Sequence, residues 1–511
     1  MKRIASALFL ILLSFNLRAD SDPALFFKTF ESRIKRVVLE NGLRLVMLKR
    51  DYSPTIACYI KFRSGSADET DESSGIAHML EHMLFKGTQR IGTTDYAAEE
   101  KYILVMNRWA RRLDQWKRVL ETATTDAEKA EAQKQIAKWK ERMDSFNRIS
   151  RQFIVQDEGS YIYALNGETG YNAYTSNDLT NYQIQLPSSR MEVWARLESD
   201  RMTNSVLRDF YTERDVVAEE RRMRVDNVGS SLLLEQFLAR AYPDHPYGRP
   251  VIGPMHSIQF LNYEQALKFY QDHYAPNNTV ISIVGDIDFE KTEALIRQYF
   301  GPLEARAQTR QPAVPTNLSP PFQLELKKPG SPVLYMGWFK PPLPDPVDVH
   351  MDVAARVLAH GRDSRLFKKL VIQDRIAAEI EIYNGYPGDR YTNMFFVQAV
   401  PAPGKSYDEL QSAILREIEN FRRGGITQEE LIRARKNMEA EFIYSIRANS
   451  VLAERLSYFE SMTGDFRTLF RSYELLESLT GESINESVRK YLVPENVMTA
   501  RLLPAENGGQ R

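Results

Sequence analysis

The chain repeats a short pattern in its two halves, and this repeat constrains the fold more than any other feature of the sequence. An aromatic residue, a proline and an asparagine precede an apolar run at residues 273–284 and again at residues 491–503, and the two prolines lie 218 residues apart. A second pair of similar segments, 212–216 and 427–431, is separated by nearly the same distance. Repetition at a long and nearly constant offset predicts two related domains.

The segment between the repeats has the composition of a linker. Residues 304–322 are rich in Pro, Thr, Gln and Ser. The 511 residues of the chain also exceed one ordinary domain, since about 100–200 residues per domain is usual. We therefore predict a first domain over residues 20–303 and a second over residues 323–511, each with a mixture of strand and helix patterns.

The N-terminus has the layout of a secretory signal peptide. Lys2 and Arg3 precede an apolar run over residues 4–15, and the small residue Ala19 follows. The run is shorter than the ~20 residues that a membrane span needs, which disfavours a membrane anchor. We expect residues 1–19 to be removed on export. The mature chain has no later apolar segment of spanning length, so it is predicted to be periplasmic or secreted.

Charge and cysteine content exclude several classes of protein. The 67 Lys and Arg residues balance 68 Asp and Glu residues, which argues against a nucleic-acid-binding protein held by bulk charge. Cys58 is the single cysteine, which excludes an intramolecular disulfide and a cysteine-rich zinc module. It shares a strand face with Ile56, Ile60 and Phe62, so a buried core position is predicted. Any bound metal must use histidine and carboxylate ligands.

Residues 97–156 differ from the rest of the first domain. They are rich in Lys, Arg, Glu, Ala and Gln, and no Gly or Pro interrupts them. Apolar residues recur at helical spacing around Trp109 and again around Trp139, and a capping segment at 124–126 separates the two parts. The pattern predicts an inserted antiparallel helical hairpin. Its role stays open between a solvated arm and an arm that docks a partner or gates the substrate.

Two of the seven histidines stand four residues apart with a glutamate between them. His78, Glu81 and His82 form the pattern H-x-x-E-H. On a helix, residues i and i+4 share one face, so both imidazoles can reach one metal ion and Glu81 can reach a water on that ion. The alternative is a surface helix with two solvated histidines.

A catalytic zinc site usually has a third protein ligand, and a carboxylate is the natural choice. The best segment is an acidic helical pattern over residues 210–222, in which Glu213 and Glu220 lie two turns apart on one face. Glu220 could bind the metal while Glu213 steadies the site as an outer partner. Taken alone, an acidic helix is more often a solvated face.

These motifs resemble those of the insulinase (pitrilysin) family of zinc metallopeptidases, in particular its two-domain members of the mitochondrial-processing-peptidase type. The stretch 74–88 around the histidines is similar to the family's inverted zincin signature. The stretch 213–220 is similar to the segment that supplies the third ligand, with Glu220 at the ligand position. Further similar pieces follow in family order at 172–180, 245–250, 274–278 and 364–367.

The resemblance implies an α+β fold of two related domains, each a mostly antiparallel sheet with helices packed on one face, to which this chain adds the helical hairpin. It implies a Zn²⁺ cofactor held by His78, His82 and Glu220, with Glu81 as the catalytic base. It also implies that the substrate, a peptide or an unfolded polypeptide segment, pairs as an added strand along an edge strand. The residues expected on that strand are Asn172, Ala173, Tyr174, Thr175 and Ser176.

Two departures from the family pattern matter. His82 and Glu220 are 138 residues apart, more than is usual in the family, and the hairpin accounts for the excess. In many members an Arg and a Tyr in the facing half help to hold the substrate carbonyl, whereas Val371 and Ala378 occupy those places here. Because the family encloses its substrate between two such halves, we expect a heterodimer with a non-catalytic relative that supplies the pair. A homodimer is the alternative.

The sequence therefore predicts an exported zinc endopeptidase that works as a dimer. A catalytically inactive peptide-binding or scaffold protein of the same fold is the alternative. Relatives of that kind usually lack residues of the H-x-x-E-H pattern, so the filled positions here favour the enzyme.

Overall fold

The computed structural model describes residues 29–307 and 318–504. The predicted signal peptide, 1–19, and the centre of the predicted linker lie outside these residues, and the domain limits stay predictions. Among the helices that the structure describes, none has both the length and the apolar character needed to cross a membrane. The chain forms two sheets, one on either side of the linker.

The first half of the chain builds a six-stranded sheet in the order β1-β2-β6-β3-β5-β4. Strands β2 and β6 run parallel, whereas the other neighbours are antiparallel. The strands are β1 (Ile34–Val38), β2 (Arg44–Lys49), β3 (Thr55–Phe62), β4 (Thr169–Thr175), β5 (Thr180–Pro187) and β6 (Thr279–Gly285).

The second half builds a five-stranded sheet in the order β7-β11-β8-β10-β9, with β7 and β11 parallel. This arrangement repeats β2-β6-β3-β5-β4 of the first sheet, because in both halves the last strand lies between two earlier strands, parallel to β2 or β7 and antiparallel to β3 or β8. The repeat confirms the predicted α+β fold of two related halves. The strands are β7 (Gln323–Lys327), β8 (Leu334–Lys340), β9 (Ala377–Tyr386), β10 (Asn393–Pro401) and β11 (Met498–Leu503).

Helices connect the strands in both halves. In the first half they are α1 (Ile76–Met83), α2 (Tyr96–Thr122), α3 (Asp126–Ser150), α4 (Glu158–Leu165), α5 (Met191–Asn204), α6 (Phe210–Arg221), α7 (Gly229–Ala241), α8 (Met255–Ile258), α9 (Tyr263–His273) and α10 (Phe289–Phe300). In the second half they are α11 (Val347–Ala359), α12 (Tyr407–Gly424), α13 (Gln428–Ser445), α14 (Asn449–Thr463), α15 (Thr468–Ser478) and α16 (Gly481–Tyr491). Short π-helical segments occur at Arg222–Asp226 and Phe367–Gln373.

Each sheet buries its second face under helices from the other half of the chain. On the first sheet, Cys58 of β3 is buried, as predicted, in the core of its own half, while Ala57 and Tyr59 lie in a buried cluster with Leu456 of α14. On the second sheet, Phe396 of β10 packs against Phe237 of α7, with ring centroids 5.7 Å apart. The two halves therefore share two buried apolar clusters, one on each sheet.

Charged pairs also cross the boundary between the two halves. Nζ of the fully buried Lys61 on β3 lies 2.8 Å from Oε1 of Glu454 on α14. Nη2 of Arg36 on β1 lies 2.8 Å from the buried Oε1 of Glu460, also on α14. Burial lowers the pKa of Lys61 to about 8 although Glu454 opposes the shift. A buried charge of this kind needs its partner, so the pairs fix how α14 lies on the sheet.

The predicted helical hairpin is present as α2 and α3. The two helices pack through aromatic side chains, because the ring of Trp109 lies 4.8 Å from that of Phe146 and 6.4 Å from that of Trp139. Leu113 and Met143 reach from the hairpin into the core of the first half. The base of the hairpin is therefore part of the packed fold rather than a free arm.

The shared apolar clusters predict that a cavity in α14 will destabilise the whole chain. We expect Leu456→Ala, at a fully buried position, to lower the free energy of unfolding by about 2–5 kcal/mol in urea titrations followed by circular dichroism. Val451→Ala, on the same helix but 37% exposed, is the control and should change stability by less than about 0.5 kcal/mol. Equal unfolding midpoints for the two variants would contradict the packing of α14 in a shared cluster.

Candidate metal centre

Helix α1 begins at a fixed point because a buried carboxylate bonds its N-terminal amides. Glu69 accepts hydrogen bonds from the amides of Gly75 (2.9 Å) and Ala77 (2.8 Å). Met79 and Leu80 bury one face of the helix completely. The two histidines and the glutamate of the helix are therefore turned to its open side.

Helix α6 carries the two carboxylates that the sequence singled out. Glu213 lies in its first turn and Glu220 in its last, and both approach the histidines of α1. Phe210 and Val217 bury another face of the helix. A π-helical segment follows at once, and its Arg224 lies 2.7 Å from Oε1 of Glu220. Such irregular turns are frequent at functional sites.

The three predicted ligands converge. Oε2 of Glu220 lies 3.9 Å from Nε2 of His78 and 3.5 Å from Nε2 of His82. All three side chains offer ligand atoms within 4.8 Å of one another. Two imidazole nitrogens and one carboxylate oxygen suit a catalytic zinc site, whose ligand bonds are about 2.0–2.2 Å long. Within residues 29–307 and 318–504, no other three such side chains come close enough to hold a metal.

Burial and neighbouring charge set the protonation of the two histidines. Burial, with smaller contributions from His82 and Arg224, lowers the pKa of His78 to about 3. Burial also lowers the pKa of His82, but the three carboxylates around that ring outweigh it and raise the pKa above its ordinary value. A neutral His78 is ready to bind a cation, because metal ligation uses the deprotonated imidazole.

Glu81 is tied to the edge strand of the first sheet. Its Oε2 accepts a hydrogen bond from Oγ1 of Thr175 at 2.6 Å. Burial raises the pKa of Glu81 above its ordinary value, and this hydrogen bond opposes part of the increase. A carboxyl group with a raised pKa beside a cation site is suited to take up and return a proton.

Glu213 links His82 to a lysine. Its Oε1 lies 3.6 Å from Nδ1 of His82, and its Oε2 lies 2.7 Å from Nζ of Lys86. Burial raises the pKa of Glu213, but the hydrogen bonds with His82 and Lys86 outweigh burial and lower it. Glu213 is therefore charged, and it faces the ring nitrogen of His82 that points away from Glu220.

Strand β4 is an edge of the first sheet and contacts α1. It holds four of the five residues expected along a substrate, and the fifth follows directly: Asn172, Ala173, Tyr174, Thr175 and Ser176. Side chains alternate across the strand, so Ala173 packs against the core on the α1 side. Tyr174 points the other way and donates a hydrogen bond to Glu454 of α14 at 2.6 Å.

Three features of the centre were not predicted. Glu69 accepts hydrogen bonds at the start of a helix several residues later, and no local sequence motif indicates this contact. Thr175 was expected along the substrate, but its bond to Glu81 joins positions 94 residues apart. Lys86 lies four residues after His82, so helical spacing alone could have indicated that it shares the face of the histidine.

The positions expected for the Arg and Tyr pair lie in the second half. Val371 is in the π-helical segment Phe367–Gln373, and Ala378 is the second residue of β9. Arg375, between them, is exposed and lies in the left-handed region of backbone conformation (φ 53°). This half of the chain thus presents an aliphatic side chain and a methyl group at the two positions.

Two family models match the chain over more than half of its length. The model of the insulinase family, peptidase family M16, matches residues 45–103 and 156–255. The model of the peptidase M16 inactive domain matches residues 261–438. The interruption between the two segments of the first match falls on the helical hairpin.

Individual proteins are similar over most of the chain. Zinc protease PqqE of Helicobacter pylori is 27% identical over 432 residues, which are 82% of this chain and 81% of that protein. The crystal structure of a protease from Helicobacter pylori matches with a TM-score of 0.75 at 24% identity, over 92% of this chain and 99% of that one. The first half of the periplasmic protease PqqL from Escherichia coli matches with a TM-score of 0.65 at 18% identity, over 93% of this chain and 92% of that one.

A glycine spaces the two helices of the centre, and its replacement should destabilise the fold. Gly253 has φ 82°, and its carbonyl oxygen accepts a hydrogen bond from Nη1 of Arg221 on α6 at 2.7 Å. A Cβ at this position would lie 2.5 Å from the carbonyl oxygen of Ser74 and 2.6 Å from Cα of Gly75, just before α1. We expect Gly253→Ala to lower the free energy of unfolding, measured in urea, because both backbone strain and a clash arise.

The matched control is Gly404→Ala. Gly404 also has a positive φ, 77°, but a Cβ there would meet nothing within 4 Å. The difference between the two variants isolates the clash, which should cost about 1–3 kcal/mol. Equal destabilisation would mean that the loop does not set the position of α1.

Proposed function

The chain belongs to the insulinase family of peptidases, family M16, and on that premise we propose that it is a zinc-dependent endopeptidase that hydrolyses peptides or unfolded polypeptide segments. The observation that carries the proposal is the convergence of His78, His82 and Glu220 at distances that suit one metal ion, with Glu81 on the same helix face. The name of the similar Helicobacter pylori protein, a zinc protease, supports zinc as the metal.

The proposed ligands are the Nε2 atoms of His78 and His82 and a carboxylate oxygen of Glu220. This donor set fits Zn²⁺, and three protein ligands leave one position open, as catalytic sites require. A zinc ion in such a site lowers the pKa of a coordinated water and polarises the substrate carbonyl. Glu213 would hold His82 in the orientation that ligation needs, since it faces the opposite nitrogen of that ring.

Glu81 would transfer the proton of the reaction. As general base it takes the proton of the attacking water, and as general acid it returns that proton to the leaving amine. Its raised pKa favours the protonated state that the second step needs. The hydrogen bond from Thr175 restrains the carboxylate, so that its position does not depend on the substrate.

The substrate would lie along β4 as an added strand. Pairing with a sheet edge relies on backbone hydrogen bonds, so it places little demand on the sequence of the substrate. Asn172 to Ser176 form the edge that would be paired. Because Thr175 bonds to Glu81, a peptide in register with this strand would pass beside the proposed base.

We further propose that the protein is exported and acts with a second two-domain unit. The aliphatic residues Val371 and Ala378 support a partner, because many family members place an Arg and a Tyr there to hold the substrate carbonyl. The chain is similar to one half of a longer periplasmic protease. This similarity supports the proposal that a second two-domain unit completes the enzyme, and it also supports export. A non-catalytic family member is the proposed partner, and a second copy of this chain is the alternative.

Replacement of the base should separate metal binding from catalysis. We expect Glu81→Gln to keep the zinc content of the wild-type protein, measured by atomic emission, because Glu81 is not a proposed ligand. Cleavage of an unfolded, fluorescently labelled polypeptide should fall by about 100-fold or more, since proton transfer by a positioned side chain contributes that much. The assay uses the protein purified from its native host, so that any partner is present.

Glu219→Gln is the matched control for this experiment. Glu219 is a neighbour of Glu220 on α6 but is exposed and paired with Arg222. It should leave both zinc content and cleavage unchanged. Undiminished cleavage by Glu81→Gln would refute the proposed base. Zinc binding without any cleavage by the wild-type protein would favour a binding or scaffold role.

The partner proposal predicts the mass of the native complex. A tagged chain isolated from its host and measured by native mass spectrometry should carry a second protein of similar size and fold whose sequence lacks H-x-x-E-H. A mass of two identical chains would favour the homodimer instead. Full activity of a monomer would refute both.

A further inference from the structure

One arginine, directly before α6, joins the hairpin to the segment that follows α1. Arg208 precedes α6 and is 2% exposed. Its Nε and Nη2 donate to the two carboxylate oxygens of Glu99 on α2, at 2.6 and 3.1 Å. Its remaining N–H groups donate to the carbonyl oxygens of Lys86, Thr88 and Ile91, in the segment that follows α1. All five N–H groups of the guanidinium are thus used.

A second arginine joins the hairpin to the interior of α6. Nη1 and Nη2 of Arg214 donate to the two oxygens of Asp114 on α2, at 2.8 and 3.1 Å. Arg214 is 2% exposed, and Nη1 also donates to the carbonyl oxygen of Leu261. Arg214 lies one residue after Glu213 and six before Glu220. The pair with Asp114 therefore acts on the part of α6 between the two carboxylates of the centre.

A small cavity of about 40 Å³ lies between α2 and the start of α6. Tyr102, Ile103 and Met106 of the hairpin line one side, and Leu207 and Phe210 line the other. Where side chains do not interlock fully, paired charges can set the spacing, because a bidentate arginine–carboxylate contact has a fixed geometry.

We propose that helix α2 is a brace that holds the Glu220-bearing helix in register with the histidine-bearing helix, with Glu99 and Asp114 as positioning residues for metal binding. The inference rests on the proposed zinc site. It assigns a role to the inserted hairpin, which lies outside both family-model matches for most of its length. The two pairs stand about four helical turns apart on α2, so they resist both sliding and rotation of α6.

Buried ion pairs add little net stability. Desolvation of the two charges offsets most of their attraction, so replacing both partners by apolar side chains of similar size is often neutral for stability. A metal site, by contrast, responds to shifts of its ligands by fractions of an ångström. If α2 is such a brace, removing a buried ion pair should weaken zinc binding without an equivalent loss in the free energy of unfolding.

The test measures zinc affinity by competition with a chromophoric chelator, on purified full-length chains whose fold is checked by circular dichroism and thermal unfolding. We expect Asp114→Asn to bind zinc about 10-fold more weakly than the wild-type chain, in the range seen when outer partners of a metal site are removed. The control is Arg111→Gln, which breaks the exposed pair between Arg111 of α2 and Glu264 of α9. It should leave zinc affinity unchanged.

A second variant covers the case in which Asp114→Asn does not fold. The double replacement Asp114→Leu with Arg214→Met removes both charges and keeps apolar volume, so it should fold with a thermal midpoint near that of the wild type. The brace predicts that this folded chain also binds zinc about 10-fold more weakly. Wild-type affinity in either folded variant would overturn the brace.

The same titration separates this inference from the proposed function. If the wild-type chain binds no zinc, the proposed metal site is wrong. If the wild-type chain binds zinc and either folded variant binds it equally well, the site stands and the brace alone is wrong.

Discussion

The exchange of covering helices between the two halves is the constraint on which the rest of the structure depends. A sheet with one apolar face exposed to water is unstable, and here each half buries that face of the other. Helix α14 of the second half packs on the first sheet, and α7 of the first half packs on the second sheet. The halves are consequently packed together through both sheets.

Contacts between the halves also reach the candidate site. Tyr174, on the edge strand, bonds to Glu454 of α14, and the buried Asp178 after the strand accepts hydrogen bonds from the amides of Asp389 (2.7 Å) and Arg390 (3.2 Å) in the second half. The strand proposed to receive the substrate is thus held from the second half as well as from its own sheet. Thr175, the residue after Tyr174 on the strand, points to the opposite face and donates a hydrogen bond to Glu81. Substrate strand and proposed base are positioned by one set of contacts before any ligand arrives.

Local spacing was enough to predict the parts of the site that lie on one element. The i, i+4 relation of His78 and His82 gives a shared helix face, and the seven-residue separation of Glu213 and Glu220 does the same on α6. The helical hairpin followed from its apolar period and missing glycines, and the repeated segments predicted the related halves. Contacts between distant segments could not be predicted in this way. Three such contacts depend on how finished elements pack, which no single stretch of sequence encodes. They are the hydrogen bond from Thr175 to Glu81, the packing of helices from one half on the sheet of the other, and the ion pairs of Glu99 with Arg208 and of Asp114 with Arg214.

The central claim is that His78, His82 and Glu220 hold one zinc ion. The direct measurement is anomalous X-ray diffraction from crystals of the zinc-loaded protein, with data on both sides of the zinc absorption edge. We expect one strong peak, present only above the edge, between the Nε2 atoms of the two histidines and the carboxylate of Glu220. A zinc peak elsewhere, with none between these three side chains, would contradict it.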